Sequence, residues 1–573
     1  MSLAAERVPV AKIVDHRVSF PAWSLPVREG GQSVSYLRAS ATSLGSNVQF
    51  DIVPPNPGAS VIGRDMLWYN KVTFAVNAAT AAPANVINAG VTDAPRAFPI
   101  TSCVDVMTCQ INNETITVSN WAEIGHVLRR FNPKSAMYKL SNFCPWFPDQ
   151  SAEYPPLAGS NRDVLAAGAT GDYDFMRGAY ARYTVVPGAA PTTQATITLE
   201  TVEPVNLSPF MYGSQSPGIP FVQTLRLQFN INNWNRALSH AVVAGTSANL
   251  LDSDIKGNLV ESTLFYQSIS VPMLEEQLPR SISLPHYRLL CNPTNAVALA
   301  SNVPTLGVRP AGTTLTSQVI NYSCIPSRLY VFCAPAQNQK TVQTPDFTAQ
   351  FCGGLSLQWG SRTALMTSVP RETLYAQAAD AGLCVPWEQW DGAYRFSSAA
   401  GGVVGSSGSI LCIRPGVDFD LEPGQVVGQS GSFQFQISAA WNNQSATNYS
   451  MSMYVVAVLP GVLTLNAGYE THAEIGCISQ ADVLASSEKV HESAVLDTFG
   501  SGFFDNIKQM LHHVRSDPLG SLKKAVGTAH SLTSLAKEKL GAGVRCGGSA
   551  FSGGSDFYGG AILSKKSLAE RLR

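Results

Sequence analysis

Between residues 30 and 480 apolar and polar positions mostly alternate, which is the pattern of strands with one buried face. "KVTFAVN" sets Val72, Phe74 and Val76 on one side, and "TLRLQFNIN" does the same with Leu225, Leu227, Phe229 and Ile231. "SFQFQISAAW" aligns Phe433, Phe435, Ile437, Ala439 and Trp441; "MSMYVVAVL" aligns Met451, Met453, Val455, Ala457 and Leu459. Long connections rich in Pro, Gly, Ser and Ala separate the strands, notably 77–98, 145–172 and 396–408. Helical spacing interrupts the alternation in "SNWAEIGHVLRRF", where Trp121, Ile124, Leu128 and Phe131 share a stripe behind a Ser119 or Asn120 cap. That segment reads as a helix in an inter-strand loop.

Strand density divides into two similar stretches, roughly 30–240 and 260–470, without an internal sequence repeat. Two tandem β-sandwiches of about 200 residues each, on a jelly-roll plan, fit these lengths and loop sizes. The expected organisation is an N-terminal arm (1–29), a first jelly roll (30–245), a second (246–480) and a tail (481–573). The tail has a different texture. Phe503, Ile507, Met510 and Val514 recur at helical spacing, with Lys508, His512 and Arg515 on other faces. The pattern predicts helices over 503–515 and 519–540, parted by Asp517–Pro518 and followed by the flexible stretch "GGSAFSGGSDFYGG".

Composition sharpens the contrast. Charged residues make up only 14% of the 573, against roughly 25% in ordinary soluble domains. A surface so poor in charge favours association. From Ile507 onward eleven Lys/Arg stand against four Asp/Glu, a charge of +7. The 28 basic and 36 acidic residues before it give −8. A basic, amphipathic tail on an acidic body points to an anionic partner, nucleic acid or a lipid surface.

Candidate chemistry is sparse. The eleven cysteines form no CxxC pair; Cys103 with Cys109, and Cys324 with Cys333, are too isolated for zinc sites, so free, buried thiols are expected. The opening "MSLAAERVPVAK" has no apolar signal-peptide core, so no secretory route is expected, and the sequons at Asn113, Asn206, Asn321, Asn443 and Asn448 read as chance. No apolar stretch approaches the ~18 residues of a spanning helix; "MSMYVVAVLPGVLTL" is interrupted by Pro460 and Gly461. There is no P-loop, no GxSxG elbow and no HExxH, and "GAGVRCGG" misses the dinucleotide-binding spacing. His126, His286 and His512–His513 stand apart from one another in the sequence. "YDFMRGAY" (173–180) and "WEQWDGAY" (387–394) place acids beside aromatics, as a carbohydrate site does, but loop packing produces the same composition. No catalytic residue, metal ligand or cofactor is assigned, and an enzyme is not expected.

An ordered succession of phrases does carry a resemblance: "SYLRASATSLGSNVQFDIVPPNP", "VIGRDMLWYNKVTFAV", "APRAFPITSCVDVMTCQINNETITV", "VEPVNLSPF", "FVQTLRLQFNI", "EEQLPRSISLPHY", "IPSRLYVFCAP", "SMYVVAVLPGVLTL", "ISQADVL" and the closing "GGAILSKKSLAERLR". The chain resembles the double jelly-roll major capsid proteins of small eukaryotic DNA viruses, of the polinton-like, adintovirus and virophage kind, over nearly all of 30–573. The resemblance implies a structural subunit of the virion. It forms homotrimeric capsomers with a pseudo-sixfold outline, which tile an icosahedral shell beside neighbouring capsomers and minor (penton) proteins. Such a subunit is made in the host cytoplasm or nucleus. The tail is expected to face the interior through Phe503, Ile507, Lys508, Met510, Val514, Arg515, Lys523, Lys524, Lys537 and Lys539, toward an internal membrane, packaged DNA or the base of the β body itself. The competing reading is a β-sandwich carbohydrate-binding or adhesin-like module.

Overall fold

The computed structural model of the chain describes residues 33–77, 93–132, 139–140, 143–146, 182–187, 194–210, 218–240, 255–270, 280–302, 310–391, 393–395, 403–405, 407–445 and 447–483. The tail residues named above, the N-terminal arm and "YDFMRGAY" lie outside the described residues. The main strands fall into two runs of eight. The first comprises β1 (Ser33–Ser40), β2 (Asn47–Ile52), β3 (Leu67–Asn77), β4 (Val104–Ile111), β5 (Glu114–Val118), β6 (Gln194–Pro204), β7 (Leu225–Ile231) and β8 (Ile255–Ser270). The second comprises β9 (Ser281–Pro293), β10 (Thr313–Thr316, resuming at Ile320–Cys324), β11 (Arg328–Pro335), β12 (Gln350–Trp359), β13 (Arg362–Leu365), β14 (Leu411–Ile413), β15 (Ser430–Asn442) and β16 (Tyr449–Asn466).

Hydrogen bonding orders the first run as β1-β8-β3-β6 and β2-β7-β4-β5, and the second as β9-β16-β11-β14 and β10-β15-β12-β13. Strand order is the same in both halves, first-eighth-third-sixth facing second-seventh-fourth-fifth, which is the jelly-roll plan. Each half is therefore a complete eight-stranded sandwich, and the two together are a double jelly roll. β8 pairs along its length with β1 and β3, so by strand pairing the handover lies between Ser270 and Ser281 instead of at 245/246. Its alternation is disturbed by a bulge between Leu259 and Glu261, which is why residues 255–270 read as the opening of the second half.

Alternation fixes which faces turn inward. Val72, Phe74 and Val76 are fully buried, as are Leu227, Phe229, Phe435, Ile437, Ala439 and Trp441. In the first sandwich the Trp68 indole stacks on Phe229, ring centroids 4.3 Å apart, and its N–H donates to Ser262 Oγ at 2.8 Å. In the second, Trp359 stacks on Phe433 and meets Phe435 edge-on. β16 departs from simple alternation. Met451, Met453, Val455 and Ala457 face the core, yet Tyr454 and Val456 on the opposite side are buried as well. A strand covered on both faces reads as a continuous apolar run. It also passes unbroken through Pro460 and Gly461. Glycine is needed there because the strand Thr471–Ile475 folds back so closely that a Cβ would lie 2.2 Å from the Glu474 carbonyl oxygen.

Candidate functional site

What covers the outer side of β16 is the first sandwich. Helix α1 (Trp121–Leu128) follows β5 and continues as a 3₁₀ turn, Arg129–Phe131. The cap differs from the sequence expectation: Asn120 sits at the N-cap in a left-handed conformation (φ 56°) and makes no side-chain capping bond. Trp121, Glu123, Ile124, Gly125, His126 and Val127 are all buried. An apolar stripe facing one core would leave half of these exposed; instead α1 is wedged between two sandwiches. Phe131 meets Tyr330 of β11 edge-on at 4.7 Å, His126 approaches Phe332 at 6.5 Å, and Phe332 stacks on Tyr454 at 5.2 Å.

Charge is buried in this seam. From the first sandwich come Arg96, Arg130, Arg236 and Glu123; from the second, residues 340–348 ("KTVQTPDFT"). Arg96 donates to the carbonyls of Val342 (2.9 Å) and Thr344 (2.8 Å), and Arg236 to those of Thr341 (2.7 Å) and Thr344 (3.0 Å). Arg130 donates to the Ser407 carbonyl at 2.7 Å and to Thr348 Oγ1 at 3.1 Å. Asp346 pairs with Arg236 and lies 3.8 Å from Arg96. Glu123 takes the Lys340 ammonium and the Tyr454 hydroxyl, the latter at 3.0 Å. Burial alone pulls the Asp346 carboxyl upward, but Arg236, with His126, Arg96 and Lys340, holds it far below the usual carboxylate range. A network of this kind is costly to leave half-made, because each deleted partner strands a buried charge.

The contacts extend to both ends of the sandwiches. At the end with the long connections, the His240 N–H donates to the Val342 carbonyl (3.1 Å) and the Cys384 N–H to that of Arg130 (2.8 Å). At the other end, the β4–β5 turn reaches the second sandwich through Asn112 Nδ2 to Thr471 Oγ1 (2.9 Å) and the Thr471 N–H to Asn113 Oδ1 (2.8 Å). There too Ser208 Oγ meets His286 Nδ1 at 2.8 Å. Like ends therefore stand together. None of the three arginines carries a sequence motif: Arg96 lies in a connection, and Arg130 and Arg236 lie in short 3₁₀ turns with no distinguishing pattern around them. His126 and His286, which stand apart in the sequence, are both brought to the seam.

The outer face of the equivalent sheet in the first sandwich is different. Register places Val34 opposite Ile269, Tyr36 opposite Gln267, and Phe265 opposite both Arg38 and Leu67, with Tyr69 next along β3. On this face Tyr36 is 80% exposed, and Val34 and Phe265 about half as much at 42% and 41%. These exposed apolar side chains share the face with Arg38 and Gln267.

Other candidate chemistry resolves into packing. In "WEQWD" Trp390 is fully buried and donates to the Ile410 carbonyl at 2.8 Å, while Asp391 is held by Arg371. Among the described residues no group of His, Cys, Asp or Glu is arranged to hold a metal, and no helix is long and apolar enough to cross a membrane. Cys103, Cys109 and Cys333 are free and buried, and burial pushes their thiols well up, which keeps them unreactive.

Comparison with known proteins agrees with this geometry. A model of the Sputnik virophage major capsid protein first domain matches residues 13–262, and one of the major capsid protein V20 C-terminal domain matches residues 293–461. The putative capsid protein V20 of Sputnik virophage is 27% identical over 523 residues, 85% of this chain and 83% of that protein. The cryo-EM structure of the Sputnik virophage contains a chain that superposes with a TM-score of 0.69 at 26% identity, covering 83% of this chain and 95% of its own. The mavirus major capsid protein has the same fold, with a TM-score of 0.60 at 15% identity over 78% of this chain and 92% of that one.

Proposed function

The chain is a double jelly-roll major capsid protein of the virophage kind, a structural subunit and not an enzyme, and from that premise we propose that three copies close head to tail into a capsomer that tiles an icosahedral shell. The observation that carries this reading is the unequal cover of the two outer sheets. Within one chain, α1 of the first sandwich packs on the outer face of β9-β16-β11-β14. The face of β1-β8-β3-β6 is left open, and so is the far flank of the second sandwich, whose helix α2 (Arg371–Asp380) occupies the connection between its fifth and sixth strands as α1 does in the first. A donor flank on one side and an acceptor face on the other make a heterologous contact, which closes into a ring when the rotation permits. The exposed apolar face supplies the burial, at about 25 cal/mol per Å².

Residues 501–573 are assigned to the shell interior, with Lys508, Arg515, Lys523, Lys524, Lys537 and Lys539 facing an anionic lipid leaflet or DNA. Two features support this: the +7 charge from Ile507 onward, and the position of the chain ends. β1 begins, and the chain passes Ile478, at the end of the sandwiches that carries the short 325–327 and 360–361 connections. Each lysine near an anionic membrane contributes roughly 1 kcal/mol. Sedimentation of the purified protein at micromolar concentration tests the capsomer; a particle of three times the 61.1 kDa subunit mass is expected, and a folded monomer contradicts it. Deleting 501–573 is expected to leave the trimer and its β spectrum intact while abolishing binding to anionic vesicles or DNA, or lowering the yield of shells. A deletion that unfolds the body, or that alters neither binding nor assembly, refutes the interior role.

A further inference from the structure

We propose that the seam is an acid-labile joint: protonation of His126 at its long-loop end and of His286 at its short-loop end releases the two sandwiches from each other while each keeps its own fold. Both side chains cross from one half to the other. His126, on α1 of the first sandwich, lies against Phe332 of the second; His286, on β9 of the second, bonds Ser208 of the first. Both are more than nine-tenths buried. Neither ring nitrogen of His126 has a hydrogen-bond partner, so the ring serves there as a neutral aromatic surface.

The surroundings penalise a proton at each position. Around His126 stand Arg130 from the following 3₁₀ turn, Arg236 from the turn after β7, and Lys340 from the second sandwich, which Glu123 of α1 pairs; Asp346 opposes them, but that carboxylate is already engaged by Arg236. Burial first, then these three cations, hold the His126 imidazolium well below its ordinary range in spite of Asp346. His286 is lowered to about 4, first by burial and then by Arg288 two residues along its own strand. A histidine whose folded pKa is depressed stabilises the joined state fully above its unfolded value of about 6.5 and loses that contribution as pH falls toward the folded value. Acid therefore acts on this joint before it reaches the carboxylates, whose ordinary range lies near 4. The load falls on the seam because both histidines make their contacts across it.

Hydrogen exchange of the full-length protein at pH 7.5 and pH 5.0, corrected for intrinsic rates, tests this. The reporters are the amides that cross the seam, His240, Cys384 and Thr471, against strand-interior amides such as Val331 and Leu227. Seam protection is expected to fall by about tenfold or more at pH 5.0, the effect of one pK unit, with the strand amides unchanged. A protein carrying His126→Met and His286→Asn, which keeps apolar contact at one position and a hydrogen-bond acceptor at the other, is expected to retain seam protection at both pH values. Equal protection of the wild-type seam at both pH values overturns the proposal, as does simultaneous loss in seam and strands. The same loss in the double variant overturns it as well. Should that variant not fold, the wild-type comparison decides alone.

Discussion

The two outer sheets share one strand order and meet opposite fates. In the second sandwich the outward residues Tyr330, Phe332, Tyr454 and Val456 are buried beneath α1 and Phe131 of the first. In the first sandwich the corresponding side holds Tyr36, Val34 and Phe265 out to solvent. One fold thus serves two purposes. The covered sheet joins the halves of a subunit through a charged, hydrogen-bonded seam. The open sheet mixes exposed apolar side chains with Arg38, Gln267 and the solvent-facing Lys71–Glu200 pair, and among the described residues carries no buried network of that kind. The difference teaches that two sheets of one strand order can be told apart by what covers them: one is closed by the polar seam within the chain, and the other is left with exposed apolar side chains, the face proposed above for assembly.

Several substitutions separate the two faces, and they differ in size. Asp346→Ala strands Arg236 and Arg96 in the seam and is expected to cost about 3–5 kcal/mol in chemical denaturation. Phe332→Ala removes the ring between His126 and Tyr454 and is expected to cost about 3 kcal/mol or somewhat more by the same measurement. If either variant unfolds like wild type, the seam does not hold the halves together. Acidification follows: the melting temperature is expected to hold above about pH 6.5 and to decline below it, because His126 and His286 both carry depressed folded pKa values. On the open face, Tyr36→Ala is expected to leave subunit stability within about 0.5 kcal/mol while weakening self-association in sedimentation. The smallest effect belongs to Lys71→Met, which removes an exposed pair with Glu200 at 2.9 Å and is expected to leave the melting curve unchanged.

Much of this was legible in the sequence, for a physical reason. A strand with one buried face writes its orientation as alternation, so the inward faces of β3, β7 and β15 could be read from Val72, Leu227 or Ile437 directly. The halves could be counted, although their boundary could not, because the bulge at Leu259 and Glu261 disturbs the alternation of β8. The seam was illegible. Arg96, Arg130 and Arg236 lie far apart in the chain and meet the carbonyls of 341–344 and 407, groups that every residue possesses. One signal did exist: α1 is apolar on too many sides for a helix lying on a single sandwich, and β16 is apolar on both faces. Together these marked a second layer of packing. The exposed Tyr36 sat in a strand whose pattern told which side it occupied, but not that its counterpart in the other half would be covered.

The most direct test of the unequal faces is sedimentation of the Tyr36→Glu, Phe265→Glu double variant beside wild type, with thermal unfolding measured on both. The open face is predicted to be where the next subunit docks, so the variant should run at the 61.1 kDa of one chain while wild type runs at three times that mass, with superimposable unfolding curves. A variant that still sediments as the trimer, or one that loses its fold along with its partners, would contradict the assignment of that face.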